Sequence, residues 1–510
     1  MSDDDEQTIR PGDALEYHAE PRPGKFEISP TKPLSTQRDL SLAYTPGVAE
    51  PAEAIAEDPV AAYEYTNRRN LVCVLSDGSA TLGLGDVGPL ASKPVMEGKS
   101  VLFKNLAGID AFDIELDIDS PEGFIQTAKS LEPTFAAINL EDIAAPACFE
   151  IEETLREEMD IPVFHDDQHG TGIITGAALI NALKLQGKEL DEVEIVFAGA
   201  GAAGVATADL YCTLGVPPEN ITMADVEGVV YEGREALMDP YKARFARDTD
   251  DRTLEDAMDG ADVFVGVSVG GIVSQQMVRS MADRPVIFAL ANPEPEISYP
   301  DAMEARDDLV MATGRSDYPN QVNNVLGYPY IFRGALDVSA TDINDEMKVA
   351  AVEALAELAR EEVPEVVSNA YGEDYFVFGP EYIIPKPFDP RALLRVAPAV
   401  AEAACETGVA RRPIESLQEY RAQLEALQSD SKGLIRRLID KAKRDPQRLL
   451  FPEGDDDKIL RAARILVDEG IAEPVLMGEP DTIRERAEQL DVSLEGVELF
   501  NHWDDDRHDR

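Results

Sequence analysis

Two adjacent acidic pairs stand at the ends of apolar, strand-like runs: Glu141 and Asp142 in INLEDI (138–143), and Asp166 and Asp167 in FHDDQHGT (164–171), which follows IPVF. Carboxylates delivered from two strand ends can converge on one hard cation, and an all-oxygen donor set suits Mg2+ or Mn2+ better than zinc. Any one of these acids alone would read as a solvated loop carboxylate; the two pairs together point to a site. His165 and His169 have an i, i+4 spacing that invites zinc, but HExxH is absent, so a structural role is the expectation for them.

A second kind of chemistry is written in GAGAAG, where Gly199, Ala200, Gly201, Ala202, Ala203 and Gly204 set glycines in the GxGxxG positions between a strand pattern and a helix pattern. The first glycine permits a tight turn, the second lets backbone approach a pyrophosphate, and the third allows close helix packing. Asp225 and Glu227 follow the next strand pattern, where a ribose 2′-hydroxyl is read. Carboxylates there disfavour the 2′-phosphate of NADP and so point to NAD.

The elements that must carry these groups follow from periodicity. LVCVL (71–75) and SVLFKNLAGI (100–109) read as strands, and TGIITGAALINALKLQGK (171–188) as a helix packed on several sides that joins two domains. VEIVFAG, a helix over Ala203 to Leu214, and ITMADV (221–226) form a βαβ unit that VFVGVS (263–268) and PVIFALA (285–291) extend. Strands apolar on both faces alternating with helices imply a doubly wound parallel sheet. EMKVAAVEALAELAREE (346–362) is an amphipathic helix, the charged stretch near 411–432 a linker or exposed helix, and the last 80 or so residues a short α/β pattern. The fold expected is therefore α/β, with an N-terminal catalytic domain at 1–162, a Rossmann-like dinucleotide domain at 163–410, a linker at 411–429 and a partial α/β segment at 430–510.

Composition bounds the rest. A chain of 510 residues is long enough for two or three domains, and no apolar run approaches the roughly 18 residues of a membrane span. The start, MSDDDE, lacks the basic and apolar parts of a secretory signal, and the four scattered cysteines form no CxxC pair, which fits a reducing cytoplasm. With 46 basic against 99 acidic side chains the net charge is −53, a field that repels nucleic acid. Because the acids are dispersed along periodic segments, the expectation is a salt-adapted surface, as in a halophile, rather than a disordered acidic chain.

Seven motifs in order, YTPGVA, LGLGDVG with PVMEGK, NLEDI, FHDDQHGT, GAGAAG, ALANPEPEI and GRSDYPNQVNNV, make residues 15–420 resemble the malic enzymes, in particular the prokaryotic type with a phosphotransacetylase-like C-terminal region. The resemblance implies NAD(P)-linked, Mg2+- or Mn2+-dependent oxidative decarboxylation of malate to pyruvate by a cytoplasmic homo-oligomer, dimer or higher, without nucleic-acid or membrane partners. It implies Tyr44 as general acid, Lys99 as general base (with Lys93 the alternative), and Asp166 as the carboxylate paired with that lysine. Glu141, Asp142 and Asp167 match the metal ligands, and Asn292, Asn323 and Asn324 match positions that contact cofactor and substrate. Larger malic enzymes carry a substrate-binding arginine just before LGLGD, where this chain has Ala80 and Thr81.

A base must be neutral to take the hydroxyl proton of malate, so burial and a nearby cation are expected to lower Lys99 from a free value of about 10.4, with Asp166 opposing them. A 2-hydroxyacid dehydrogenase that stops at the ketone leaves the acidic pairs unexplained. A dead, dinucleotide-responsive regulatory protein would not need the acid, base and metal positions that are all present. RLLFPEGDDDKILRAARILVDEG resembles the opening of a phosphate acetyltransferase domain, expected here to be cut short. A partial sheet of that kind cannot cover both faces, so poor order is expected unless it docks.

Overall fold

The computed structural model describes residues 12–20, 22–81, 84–369, 371, 375–444, 446–468, 470–490, 492–494 and 496–501. The MSDDDE start, the final HWDDDRHDR and the first two residues of LGLGDVG lie outside them. Residues 1–424 form one compact unit and 425–510 a second.

In the first unit, the apolar run at 71–75 becomes β1 (Leu71–Ser76), buried along its whole length. It is flanked by β2 (Asp110–Glu115), β3 (Ala137–Leu140) and β4 (Val163–His165) in the parallel order β2-β1-β3-β4. Strands buried on both faces need helical crossovers, and Pro89–Ala107, Pro121–Leu131 and Ala147–Glu158 supply them. The strand expected at 100–109 is instead the second half of the first crossover. Met96, Ser100, Phe103 and Ala107 are buried at helical spacing, and Gly108, at φ 65°, ends the helix. Strand β4 pairs with β3 from Ile138↔Val163 to Leu140↔His165, so a boundary at 162/163 cuts through the first sheet.

The second sheet comprises β5 (Ile195–Ala198), β6 (Ile221–Asp225), β7 (Gly228–Val229), β8 (Val263–Gly266), β9 (Val286–Ala289) and β10 (Val310–Thr313). Its order is β10-β9-β8-β5-β6-β7, parallel except for the short β7, which is the doubly wound sheet expected. The central helix runs from Asp166 to Gln186, starting five residues before the apolar pattern, so both aspartates lie in its first turn. Its glycines admit a neighbour: a Cβ at Gly172 would stand 3.2 Å from the Thr207 Cα of the Ala202–Leu214 helix. Helices Tyr328–Asp337, Asp345–Arg360 and Arg391–Glu406 continue the core around it.

Residues 12–65 differ from this packed body. Helices Asp13–Ala19, Gln37–Ala43 and Ala49–Glu57 bury none of their residues, and Leu15, Ile28, Leu34, Leu42 and Tyr44 are all more than 60% exposed. The charged stretch expected as a linker or exposed helix is helical (Leu417–Arg444), and its first turns are anchored by the Tyr420 hydroxyl, which donates to Asp337 at 2.7 Å.

In the second unit, β11 (Gln447–Phe451), β12 (Ala472–Met477) and β13 (Glu498–Phe500) form a parallel sheet. Leu460, Ala463, Leu476, Ile483 and Ala487 give it a small core of its own. Leu449 and Leu450 of β11 remain about half exposed, so the sheet is covered incompletely, as a three-stranded piece must be. Among the described residues no helix is long and apolar enough to cross a membrane.

Candidate active site

Parallel pairing of β3 with β4 puts Leu140 opposite His165, so the acidic pairs that follow each strand emerge side by side. Carboxylate oxygens of Glu141, Asp142 and Asp167 lie within 4.8 Å of one another, and the Asp142 N–H donates to Asp167 Oδ2 at 2.7 Å. Asp142 holds a left-handed φ of 55°, which an aspartate tolerates better than most residues. Lys99 enters from the Pro89–Ala107 helix, its Nζ 2.7 Å from Glu141 Oε1 and 2.5 Å from Asp166 Oδ2. The ammonium also lies 4.0 Å above the ring of Tyr328. Asn139 donates to Glu141 Oε2 (2.8 Å) and Asn324 to Asp166 Oδ2 (3.2 Å), while Asp166 Oδ1 is buried with no hydrogen-bond partner among the described residues.

Charge in this space is governed by burial and by the neighbours together. Burial raises Glu141 well above the ordinary carboxylate range; Lys99 opposes the shift and the adjacent aspartates reinforce it. For Lys99, burial acts to lower the pKa, but Asp166 and Glu141 outweigh it and hold the ammonium well above its ordinary value. The lowering expected for Lys99 counted a cation as well as burial; against burial alone, two carboxylates within hydrogen-bond distance exceed the cost of lost water. Lys93 faces elsewhere, 2.6 Å from Asp113 Oδ2 and 42% exposed, so of the two lysines only Lys99 joins the cluster.

Not every expected residue converges here. Tyr44 caps the Gln37–Ala43 helix with its side chain 70% exposed, and its hydroxyl has no hydrogen-bond partner among the described residues. Asn323 accepts from the Val325 N–H and so caps a turn, whereas Asn324 reaches Asp166. Ala80 donates its N–H to the Asp142 carbonyl, and neither it nor buried Thr81 can supply the cation that larger malic enzymes place there. Sequence reading missed Glu152: buried on the Ala147–Glu158 helix, it accepts from the His165 N–H (3.2 Å) and pairs with His169 Nε2 (2.8 Å). His169 thus braces through its ring the turn that bears Asp166 and Asp167, whereas His165 takes part through its backbone N–H, its ring nitrogens buried without a hydrogen-bond partner among the described residues.

The glycine loop follows β5 as anticipated. Gly199 has φ +119°, and a Cβ there would stand 2.6 Å from the Val267 carbonyl oxygen; one at Gly204 would overlap the Gly199 carbonyl. A Cβ at Gly201 would meet nothing within 4 Å, so the face above the loop is open at the N-terminus of the Ala202–Leu214 helix, where backbone N–H groups and the helix dipole favour an anion. At the end of β6, Asp225 is not the free carboxylate expected. Arg234 Nη2 donates to both its oxygens (2.6 and 2.5 Å) and Lys242 Nζ to Oδ2 (3.2 Å). Burial acts to raise its pKa, but Arg234, the Glu227 N–H and Lys242 bring it below the usual range. Asn292 follows β9, its side-chain amide donating to the Leu290 carbonyl at 3.4 Å.

Two α/β sheets joined by one buried helix, one bearing three clustered carboxylates beside a caged lysine and the other a glycine loop at a helix N-terminus, define the class of protein. Residues 23–156 match the family model of the malic enzyme N-terminal domain, 168–368 that of the malic enzyme NAD-binding domain, and 433–510 that of phosphate acetyl/butaryl transferase. The chain belongs to the malic enzyme family. It is 60% identical to an NADP-dependent malic enzyme of Halomonas elongata over 78% of this chain and 94% of that protein. It is 53% identical to one of Rhizobium meliloti over 96% of this chain but 64% of that protein, so it spans just under two thirds of such longer relatives. The crystal structure of a malic enzyme from Pyrococcus horikoshii superposes with a TM-score of 0.76 at 42% identity, covering 84% of this chain and 98% of that one.

Proposed function

We propose that the chain catalyses the NAD(P)-linked oxidative decarboxylation of malate to pyruvate and CO2, that is, that it is a malate dehydrogenase (oxaloacetate-decarboxylating). The observation that carries this reading is Lys99, buried between Glu141 and Asp166 beside three carboxylates close enough to share one cation. Glu141, Asp142 and Asp167 offer oxygen donors only, which fits Mg2+ or Mn2+. The open face at Gly201 and the helix start beneath it fit a pyrophosphate. When bound, the cation supplies Lewis acidity at the substrate oxygens, and the nicotinamide accepts the hydride.

In its neutral form, which a cation on Glu141, Asp142 and Asp167 would favour by offsetting their charge, Lys99 Nζ takes the C2 hydroxyl proton, and Asp166, steadied by Asn324, fixes where that nitrogen stands. The Tyr328 ring closes the other side and keeps bulk water from the ammonium. Tyr44 protonates C3 after CO2 has left. Because Tyr44 lies on the exposed apolar arm at 12–65, we further propose a cytoplasmic homo-oligomer in which a second copy of the chain covers that arm.

Lys242 beside Asp225 favours NADP over NAD, since a cation at the ribose can receive a 2′-phosphate, while buried Arg234, committed to Asp225 and to the carbonyls of Gly228, Val229 and Ala236, offsets the carboxylate's charge. Initial rates with each dinucleotide, in the presence of malate and Mn2+, test both proposals. The expected result is faster turnover per unit concentration with NADP, and a shift towards NAD in Lys242→Gln. No malate-dependent reduction of either dinucleotide would refute the activity, and a preference for NAD untouched by Lys242→Gln would refute the assignment at the ribose.

A further inference from the structure

Glu296 lies on the sheet side opposite Asp225 and is completely buried, yet no lysine or arginine pairs with it among the described residues. Its Oε1 accepts from the Ser268 N–H at 2.9 Å and from the Ser268 hydroxyl at 3.4 Å; its Oε2 accepts from the Ala291 N–H at 3.1 Å. Ser268 stands two residues beyond β8 and Ala291 two beyond β9. One carboxylate therefore straps together the exits of two neighbouring strands. The backbone adds to this, for the Val273 N–H donates to the Glu296 carbonyl and the Gly271 N–H to the Pro295 carbonyl, both at 3.0 Å. Room for the carboxylate exists because Gly266, the last residue of β8, has no side chain: a Cβ there would overlap the Glu296 carboxyl.

The strand order β9-β8-β5-β6 decides what this strap supports. The glycine loop follows β5 and Asp225 ends β6, so the adenosine half of a dinucleotide belongs on the β6 side. In a doubly wound sheet the other half then crosses the exits of β8 and β9. Val267, beside Ser268, meets Gly199 of the loop, and Asn292 follows Ala291 directly. Burying a carboxylate without a cation is costly, and two backbone N–H groups aimed one at each oxygen are what offsets it.

We propose that Glu296 is a positioning residue for the nicotinamide half of the dinucleotide, acting through the Ser268 and Ala291 amides. The inference rests on the dinucleotide reading of the site given above. Glutamine has the same shape but one acceptor oxygen, so Glu296→Gln turns an NH2 towards one of the two amides and releases one strand exit. Titration calorimetry of wild type and Glu296→Gln would compare the whole dinucleotide with its adenosine-side fragment, 2′,5′-ADP for NADP or 5′-AMP for NAD. The expected result is about tenfold weaker binding of the whole dinucleotide with fragment affinity unchanged. Equal weakening of both, or no change in either, overturns the proposal. Gly266→Ala, which displaces the carboxylate without removing it, should give the same pattern; if neither variant folds, Glu296 serves the fold alone and the proposal falls. A wild type that binds no dinucleotide would instead refute the reading on which this one rests.

Discussion

Around Lys99, four carboxylates and one ammonium arrive from three separate segments and meet where water is largely excluded; around Gly199 to Gly204, a single short turn prepares a binding site from backbone alone. The first region depends on side-chain charge and on sheet register, because a residue's slip in β3 or β4 would turn its acids away. The second depends on the absence of side chains. Removing a charge should therefore be damaging in the cage, and added methyl groups should be damaging in the loop.

The largest expected effect is in the cage. Lys99→Ala should lower turnover by about 10²–10⁴-fold, the usual contribution of a positioned base. It also leaves Glu141 and Asp166 without their counter-charge, so thermal unfolding should report a loss of about 3–5 kcal/mol. Added Mn2+ should recover part of that stability, since cation binding favours the folded state. Unfolding indifferent to both the mutation and Mn2+ would show that the acids are not a charge-coupled group. In the loop, Gly204→Ala would push a methyl group against the Gly199 carbonyl. Overpacking of this kind costs about 1–3 kcal/mol, so dinucleotide affinity should fall by about 10- to 100-fold while Mn2+ binding, followed by its paramagnetic resonance, stays unchanged. Coupled loss of both would erase the distinction between the two regions.

Outside both regions, Tyr44→Phe should impair pyruvate formation more than reduction of added oxaloacetate, because the tyrosine acts after hydride transfer; equal loss in the two assays would count against that role. The smallest effect is expected far from the site. Arg306, aided by the Arg284 N–H, holds Asp308 at a pKa of about 2 against the resistance of partial burial. A carboxyl lowered by folding adds stability that is present above about pH 4 and lost as pH falls through about 2. Asp308→Asn should accordingly flatten the acid limb of the stability curve while changing neutral stability by about 1 kcal/mol or less.

The dinucleotide turn was legible because its requirements are local: three glycines at fixed spacing between a strand and a helix. The acidic pairs were legible as strand-end residues, but which lysine they meet was not. Lys93 and Lys99 lie on one helix about 120° apart at 100° per residue, so only the packed sheet shows that Lys99 faces β3 and β4 while Lys93 faces β2. Misreading 100–109 as a strand had a related cause: Val101, Leu102 and Phe103 are consecutive apolar residues, and the helical period emerges only when Met96 and Ala107 are included. Arg234 and Lys242 sit 9 and 17 residues beyond Asp225 in irregular chain, where no periodicity could bring them back to it. Glu152 and Glu296 act on backbone amides far away in sequence, a role without a local signature.

The central claim is that one site both oxidises malate and releases CO2. It is tested most directly by the stoichiometry of a single reaction containing malate, NADP and Mn2+. Reduced dinucleotide, CO2 and pyruvate should appear in equal amounts, and all three should vanish on chelation and in Asp167→Asn. Reduced dinucleotide accompanied by oxaloacetate without CO2, or turnover that survives both chelation and Asp167→Asn, would contradict the account.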